Sequence, residues 1–176
     1  MEKSVLLAVV LGMILLAGCG SSSVSTNPRT TTPKTTTPKT TTPDWKITGF
    51  NYDLDKAAQA GDIAAAEKAL AAGADINTKV NSMGWTPLIF AAMGGHTDMA
   101  TFLLDRGAKV DARDINNNTA LTETALNGSI PMAQLLLDRG ANVNARTALG
   151  KTALTMAAEA NHPDLAQFLA QHGGKQ

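Results

Sequence analysis

From Asp44 onward, apolar side chains recur at helical spacing in short runs separated by polar, glycine-punctuated stretches. Met99, Phe102 and Leu103 form one such run, and Met132, Leu135 and Leu136, then Leu165, Phe168 and Leu169, repeat it. Ahead of each run lies a second, alanine-rich one carrying Ala91 and Ala92, Ala125, or Ala157 and Ala158. The pattern predicts pairs of short helices, with small side chains letting the first helices of successive pairs approach closely. The pairs recur every 33 residues: that interval separates Thr86, Thr119 and Thr152, and also Leu88, Leu121 and Leu154. Gly107, Gly140 and Gly173 follow it too, whereas Gly73 precedes Gly107 by 34, so one extra residue is expected near Val80. A period of this size signals a stacked-repeat fold. Four repeats are predicted, near 50–80, 81–113, 114–146 and 147–174, in an all-α solenoid.

Each unit ends in a glycine that can take positive φ and stop its second helix. Pro87 stands where a helix start loses no amide donor, and Pro131 and Pro163 fall in the first turn of theirs. The stretch Thr86-Pro87-Leu88-Ile89-Phe90-Ala91-Ala92, followed by Gly95-His96, resembles the core of the ankyrin repeat. Asp105-Arg106-Gly107-Ala108 and Asp138-Arg139-Gly140-Ala141 resemble its ending, as does Ala72-Gly73-Ala74-Asp75. The resemblance covers about residues 50–174 and implies an ankyrin-repeat solenoid of helix-turn-helix units with β-turn tips.

Departures from the pattern carry information. Where Phe102, Leu135 and Phe168 pack, the first repeat has Lys68, as suits an outer face with no neighbour. The final helix offers Asp164, Gln167 and Gln171 to solvent. The third repeat has Ala120 for the usual Pro, Thr124 for an Ala and Asn117 for a turn glycine. Asn tolerates the left-handed conformation, so the turn is expected to survive, but this repeat is expected to be the weakest link.

The first 43 residues differ in kind. Val5 to Ala17 is an apolar run, shorter than the ~20 residues that span a bilayer. It fits the hydrophobic region of a secretory signal. Leu16-Ala17-Gly18-Cys19 resembles the bacterial lipobox. That resemblance implies a signal over 1–18, cleavage before Cys19, and acyl chains on Cys19 that anchor the chain to a membrane. Gly20 rather than Asp after the Cys points to the outer membrane, facing the periplasm, in a cell with two membranes. Residues 19–43 then form a linker with the unit Arg/Lys-Thr-Thr-Thr-Pro repeated at 29–33, 34–38 and 39–43. Such a composition cannot bury a core, so a disordered, polyproline-like tether reaching at most ~75 Å is expected. The repeat domain is expected over 44–176.

Composition narrows the chemistry. Lys plus Arg and Asp plus Glu both total 15, so the whole chain is formally neutral, and residues 44–176 carry 11 basic and 14 acidic side chains. Neither balance favours nucleic acid. One cysteine, Cys19, excludes an intrachain disulfide framework. His96 and His162 hold the same repeat position two layers apart, about 20 Å at ~10 Å per layer, too far to share a metal. Their expected role is a polar contact at the turn into the second helix. No nucleophile elbow, phosphate loop or dinucleotide fingerprint is present, and the acids are spread along the repeats. No enzyme, cofactor or metal site is expected.

Repeat arrays bind through a concave face made of loop tips and first helices. Mapping the ankyrin pattern onto this sequence places Met83, Trp85, Phe90, Met93, Ile115, Asn118, Glu123, Leu126, Lys151 and Met156 there as candidate partner-binding residues. Met83, Trp85, Phe90, Met93, Leu126 and Met156 would make a single apolar stripe, with Trp85 expected to be exposed. The expected function is a monomeric, non-catalytic module that binds a protein partner in the cell envelope. By analogy of fold, such a module serves as an accessory factor for an oxidative-stress enzyme or a neutraliser of a secreted toxin. A cell-wall-binding spacer is the remaining alternative.

Overall fold

A computed structural model describes residues 44–176 apart from Val80, with side chains from Gly49 onward. The segment expected to be a signal, Cys19 and the expected Thr/Pro linker lie outside the described residues. Among those described there are eight helices in four pairs: α1 (Asp44–Ala60) with α2 (Ile63–Ala71), α3 (Pro87–Met93) with α4 (Thr97–Asp105), α5 (Ala120–Asn127) with α6 (Ile130–Asp138), and α7 (Ala153–Glu159) with α8 (Pro163–Gln171). First helices pack in the series α1, α3, α5, α7, and second helices pack α4 on α6 and α6 on α8. The result is the expected all-α, two-layer repeat array.

Local chemistry explains the boundaries. Thr86 caps α3 by accepting from the Ile89 amide. Thr119 and Thr152 form reciprocal capping boxes with Thr122 and Thr155 at the starts of α5 and α7. At the far end, Gly107 takes φ +91°, which lets the Ala108 amide turn back to the Leu103 carbonyl and stop α4. At the tips, Asn117 adopts φ +58° where Gly84 and Gly150 adopt +69° and +76°, so the asparagine does keep the turn.

The core is a single apolar seam between the layers. Leu88, Leu121 and Leu154 from the first helices meet Met99, Leu103, Met132, Leu136, Leu165 and Leu169 from the second. Burying each such side chain contributes about 2 kcal/mol. Buried Ala91, Ala92, Ala125 and Ala157 give the close approach that larger side chains would block. Lys68 is exposed, as are Asp164, Gln167 and Gln171, so both ends of the stack are polar where no neighbour covers them.

One element differs from expectation. α1 has 17 residues where α3, α5 and α7 have 7, 8 and 7. Tyr52-Asp53 stand where Thr86-Pro87 start α3, so no Thr-Pro step interrupts the chain at that register and the helix runs back to Asp44, just after Thr42-Pro43.

The layers are also tied by side chains. His96 Nε2 lies 3.0 Å from the Gln59 carbonyl of α1, and His162 Nε2 lies 3.0 Å from the Leu126 carbonyl of α5. This is the polar contact expected for both histidines. In the third repeat Ser129 holds the equivalent position and caps α6 instead, accepting from the Met132 amide. Asn127 supplies the missing tie, donating to the Ala92 and Met93 carbonyls of α3. Each stacking step therefore hydrogen-bonds carbonyls at the end of the previous first helix, which would otherwise lack helical partners.

Candidate partner-binding face

Successive tips are joined by backbone. The Ile115 amide donates to the Met83 carbonyl, and the Ala148 amide donates to the Asn116 carbonyl. At each tip one polar side chain accepts from the amide four residues on: Asn81 from Trp85, Asp114 from Asn118, and Thr147 from Lys151. Trp85, Asn118 and Lys151 are thereby fixed at equivalent places along the face.

The expected apolar stripe is divided in two. Trp85 is half-buried rather than exposed. Its Nε1 donates to Asp114 Oδ2 at 3.2 Å, and its ring meets Phe90 edge-on with centroids 5.4 Å apart. Asp114, itself buried, also accepts from the Asn116 and Asn118 amides at 2.7 and 2.8 Å and from Asn118 Nδ2 at 3.1 Å. Glu123 does not present its carboxylate to solvent either: it is only 8% exposed. Burial pushes its pKa up, the nearby Asp114 carboxylate adds to the shift, and a hydrogen bond with Asn118 opposes it. Asp114 and Glu123 are thus brought together, whereas the sequence suggested that acids were spread apart. A polar knot of Asp114, Asn118 and Glu123 separates Trp85 and Phe90 from the apolar residues beyond.

Those residues form a cleft of about 600 Å³ between the last two repeats, with Leu126, Ala148, Leu149 and Met156 among its lining. Leu149 is 82% exposed and Leu126 50% exposed, while Met156 is half-buried. The Lys151 ammonium pairs with the Glu159 carboxylate on the same cleft. Ile115 is 62% exposed at its tip, and Met93 is exposed at the end of α3. Leu149 was the residue that sequence reasoning left out of the stripe. Its signal was an apolar side chain in the Ala148-Leu149-Gly150 turn, where solvation would favour a polar one.

Among the described residues no helix is long and apolar enough to cross a membrane. No three His, Cys, Asp or Glu side chains among them gather as a metal set.

Comparison with known proteins agrees with this geometry. The family described as "Ankyrin repeats (3 copies)" matches residues 54–147 and 115–176. The mouse (Mus musculus) 2-5A-dependent ribonuclease is 39% identical over 66 residues, covering 38% of this chain and 9% of that protein. An ankyrin repeat, SAM and basic leucine zipper domain-containing protein of Equus caballus is 41% identical over 59 residues, covering 34% and 12%. Dauer abnormal formation protein 25 of Caenorhabditis elegans is 39% identical over 57 residues, covering 32% and 15%. The chain thus spans only about a tenth of the length of these curated relatives. The matched part is repeat sequence and includes no catalytic domain. The chain belongs to the ankyrin repeat family.

Proposed function

We propose that this ankyrin-repeat chain is a non-enzymatic binding module, held at a membrane by lipidated Cys19, that captures a protein partner outside the cytoplasm. The observation that carries the reading is the apolar cleft of the last two repeats. Leu149 and Leu126 stand in solvent beside a hydrogen-bonded polar knot, and such patches mark contact sites. Met93, Ile115 and Met156 extend the contact, Asn118 and Lys151 offer polar rim groups, and Met83, Trp85, Phe90 and Glu123 shape the face from beneath.

The anchor reading is supported by Leu16-Ala17-Gly18-Cys19 after an apolar run, and by a proline-punctuated tether that would hold the array off the bilayer. Gly20 after the cysteine favours the outer membrane where there are two.

A photo-crosslinking residue at Ala148, beside Leu149 on the cleft of the exported full-length protein, tests the face. One protein is expected to be trapped, and Leu149→Asp with Leu126→Ser is expected to lower its capture at least tenfold while helicity stays intact. Capture unchanged in that variant overturns the proposed face. Cys19→Ser is expected to abolish fatty-acid labelling and release the protein from membranes; persistent labelling overturns the anchor.

A further inference from the structure

Asp55 is the one buried charge that the fold leaves unserved among the described residues. It is 4% exposed, and neither carboxyl oxygen has a hydrogen-bond partner. Its counterparts in the later repeats are Ile89, Thr122 and Thr155. Thr122 and Thr155 accept from the amides of Thr119 and Thr152, the residues that begin α5 and α7. At Asp55 that option is gone. α1 runs unbroken from Asp44, so the amide three residues earlier, on Tyr52, sits inside a helix that already uses it. Extending the first helix removed the donor that would have served this side chain.

Asp55 lines a cavity of about 220 Å³ between the first two repeats, shared with Tyr52, Lys56, Gln59, Asn81 and Phe90, with its carboxyl oxygens buried in the wall. At ~30 Å³ per water this is room for about seven. The groups around it suit a cation. Tyr52 and Phe90 supply aromatic walls, and Gln59 supplies an amide carbonyl, while that of Asn81 already accepts from the Trp85 amide. The Tyr52 ring already holds the Lys56 ammonium 5.4 Å from its centroid. Lys56 does not neutralise Asp55, because adjacent residues on a helix point apart. Lys56 and Tyr52 are the other titratable groups of the cavity. α3 contributes apolar Ile89 and Phe90 against this helix. Asp62, which caps α2, and Lys68 of α2 line a separate cleft with Asp53 and Lys56. Burial holds the Asp55 pKa at about 7, so the carboxyl is poised to lose its proton when a cation arrives.

We infer that Asp55 and its cavity form a pocket for one organic cation, the ammonium or guanidinium end of a lysine or arginine side chain on the bound partner. The inference rests on the concave face being the partner-binding face, and it gives that face a charge specificity to add to its apolar cleft. Binding a cation to the ionised carboxylate releases the proton Asp55 otherwise holds, so affinity rises with pH through about 7.

The test needs no partner. The full-length protein, labelled with carbon-13 at its aspartate carboxyls, is titrated by NMR with N-acetyl-arginine methylamide, N-acetyl-lysine methylamide and the neutral norleucine analogue. A basic probe is expected to saturate at millimolar concentration, lower the Asp55 pKa by a unit or more, and bind about tenfold more weakly at pH 5 than at pH 8. Asp55→Asn and Asp55→Leu, each checked for intact helicity, are expected to lose at least tenfold. Equal binding of the norleucine analogue, an unmoved Asp55 pKa at saturation, or no saturable binding at all overturns the pocket. Crosslinking at Ala148 reads the apolar cleft independently, so partner capture that survives loss of the pocket leaves the broader function standing.

Discussion

Asp114 and Asp55 are both buried carboxyls on the first-helix side of the array, and the fold treats them in opposite ways. Asp114 accepts four hydrogen bonds, two from backbone amides and two from the Trp85 and Asn118 side chains. Asp55 accepts none. Burial depth does not separate the two. What does is whether a tip loop surrounds the residue: Asp114 sits in one, while Asp55 sits four helical residues past Asn51 on an uninterrupted helix. A buried charge stabilises only where the surrounding backbone has donors to spare.

The sharpest way to break the comparison is to remove the served carboxyl. Asp114→Ala strands two tip amides and the Trp85 indole, and should lower stability by about 3 kcal/mol in urea unfolding. A loss under 1 kcal/mol would mean the knot is ornamental. The same operation on the unserved carboxyl should have the reverse sign. Asp55→Leu is expected to raise stability by about 2 kcal/mol at pH 8, since an apolar side chain there leaves nothing unpaired.

The pH dependence follows from the same residue. Asp55 titrates at about 7 folded against 3.8 for the free side chain, so the folded state holds its proton more tightly. Its contribution therefore favours folding at low pH and fades as pH rises from about 4 to about 7. Glu123 is shifted in the same direction. Urea midpoints at pH 5 and pH 8 should show the decline in the wild type and a flatter profile in Asp55→Leu; equal slopes would refute the assignment. A smaller effect is expected at the inter-layer tie of the third repeat. Asn127→Ala removes the side-chain donor to the Met93 carbonyl and one of the two donors to the Ala92 carbonyl, and should cost about 1 kcal/mol. Amide exchange should quicken first across α5 and α6, the repeat whose sequence departs most from the pattern; protection equal to that of α3 and α4 would count against a weak third repeat. The smallest effect belongs to the exposed cleft. Leu149→Ser should change stability by under ~0.5 kcal/mol while weakening partner capture, which separates a contact residue from a structural one.

The repeat architecture was legible because its signals are local. Thr86, Thr119 and Thr152 cap the helices that follow them, Gly107 stops α4, and Asn117 turns its tip, each through groups within a few residues. The candidate face was legible only in outline. Leu126 and Met156 do line its cleft, but Trp85 and Glu123 were read as surface and lie partly or wholly beneath it.

The amino-acid order alone settled the 33-residue period, the helix pairs, their caps and the polar ends of the stack, because each depends on backbone sterics and hydrogen bonds spanning at most one turn. Stacking decided the rest. Whether Trp85 faces water depends on a carboxylate 29 residues further on, and whether Asp55 finds a donor depends on how far back α1 winds. Those outcomes are fixed by what the adjoining layer brings against a side chain, and no window of neighbouring residues contains that information.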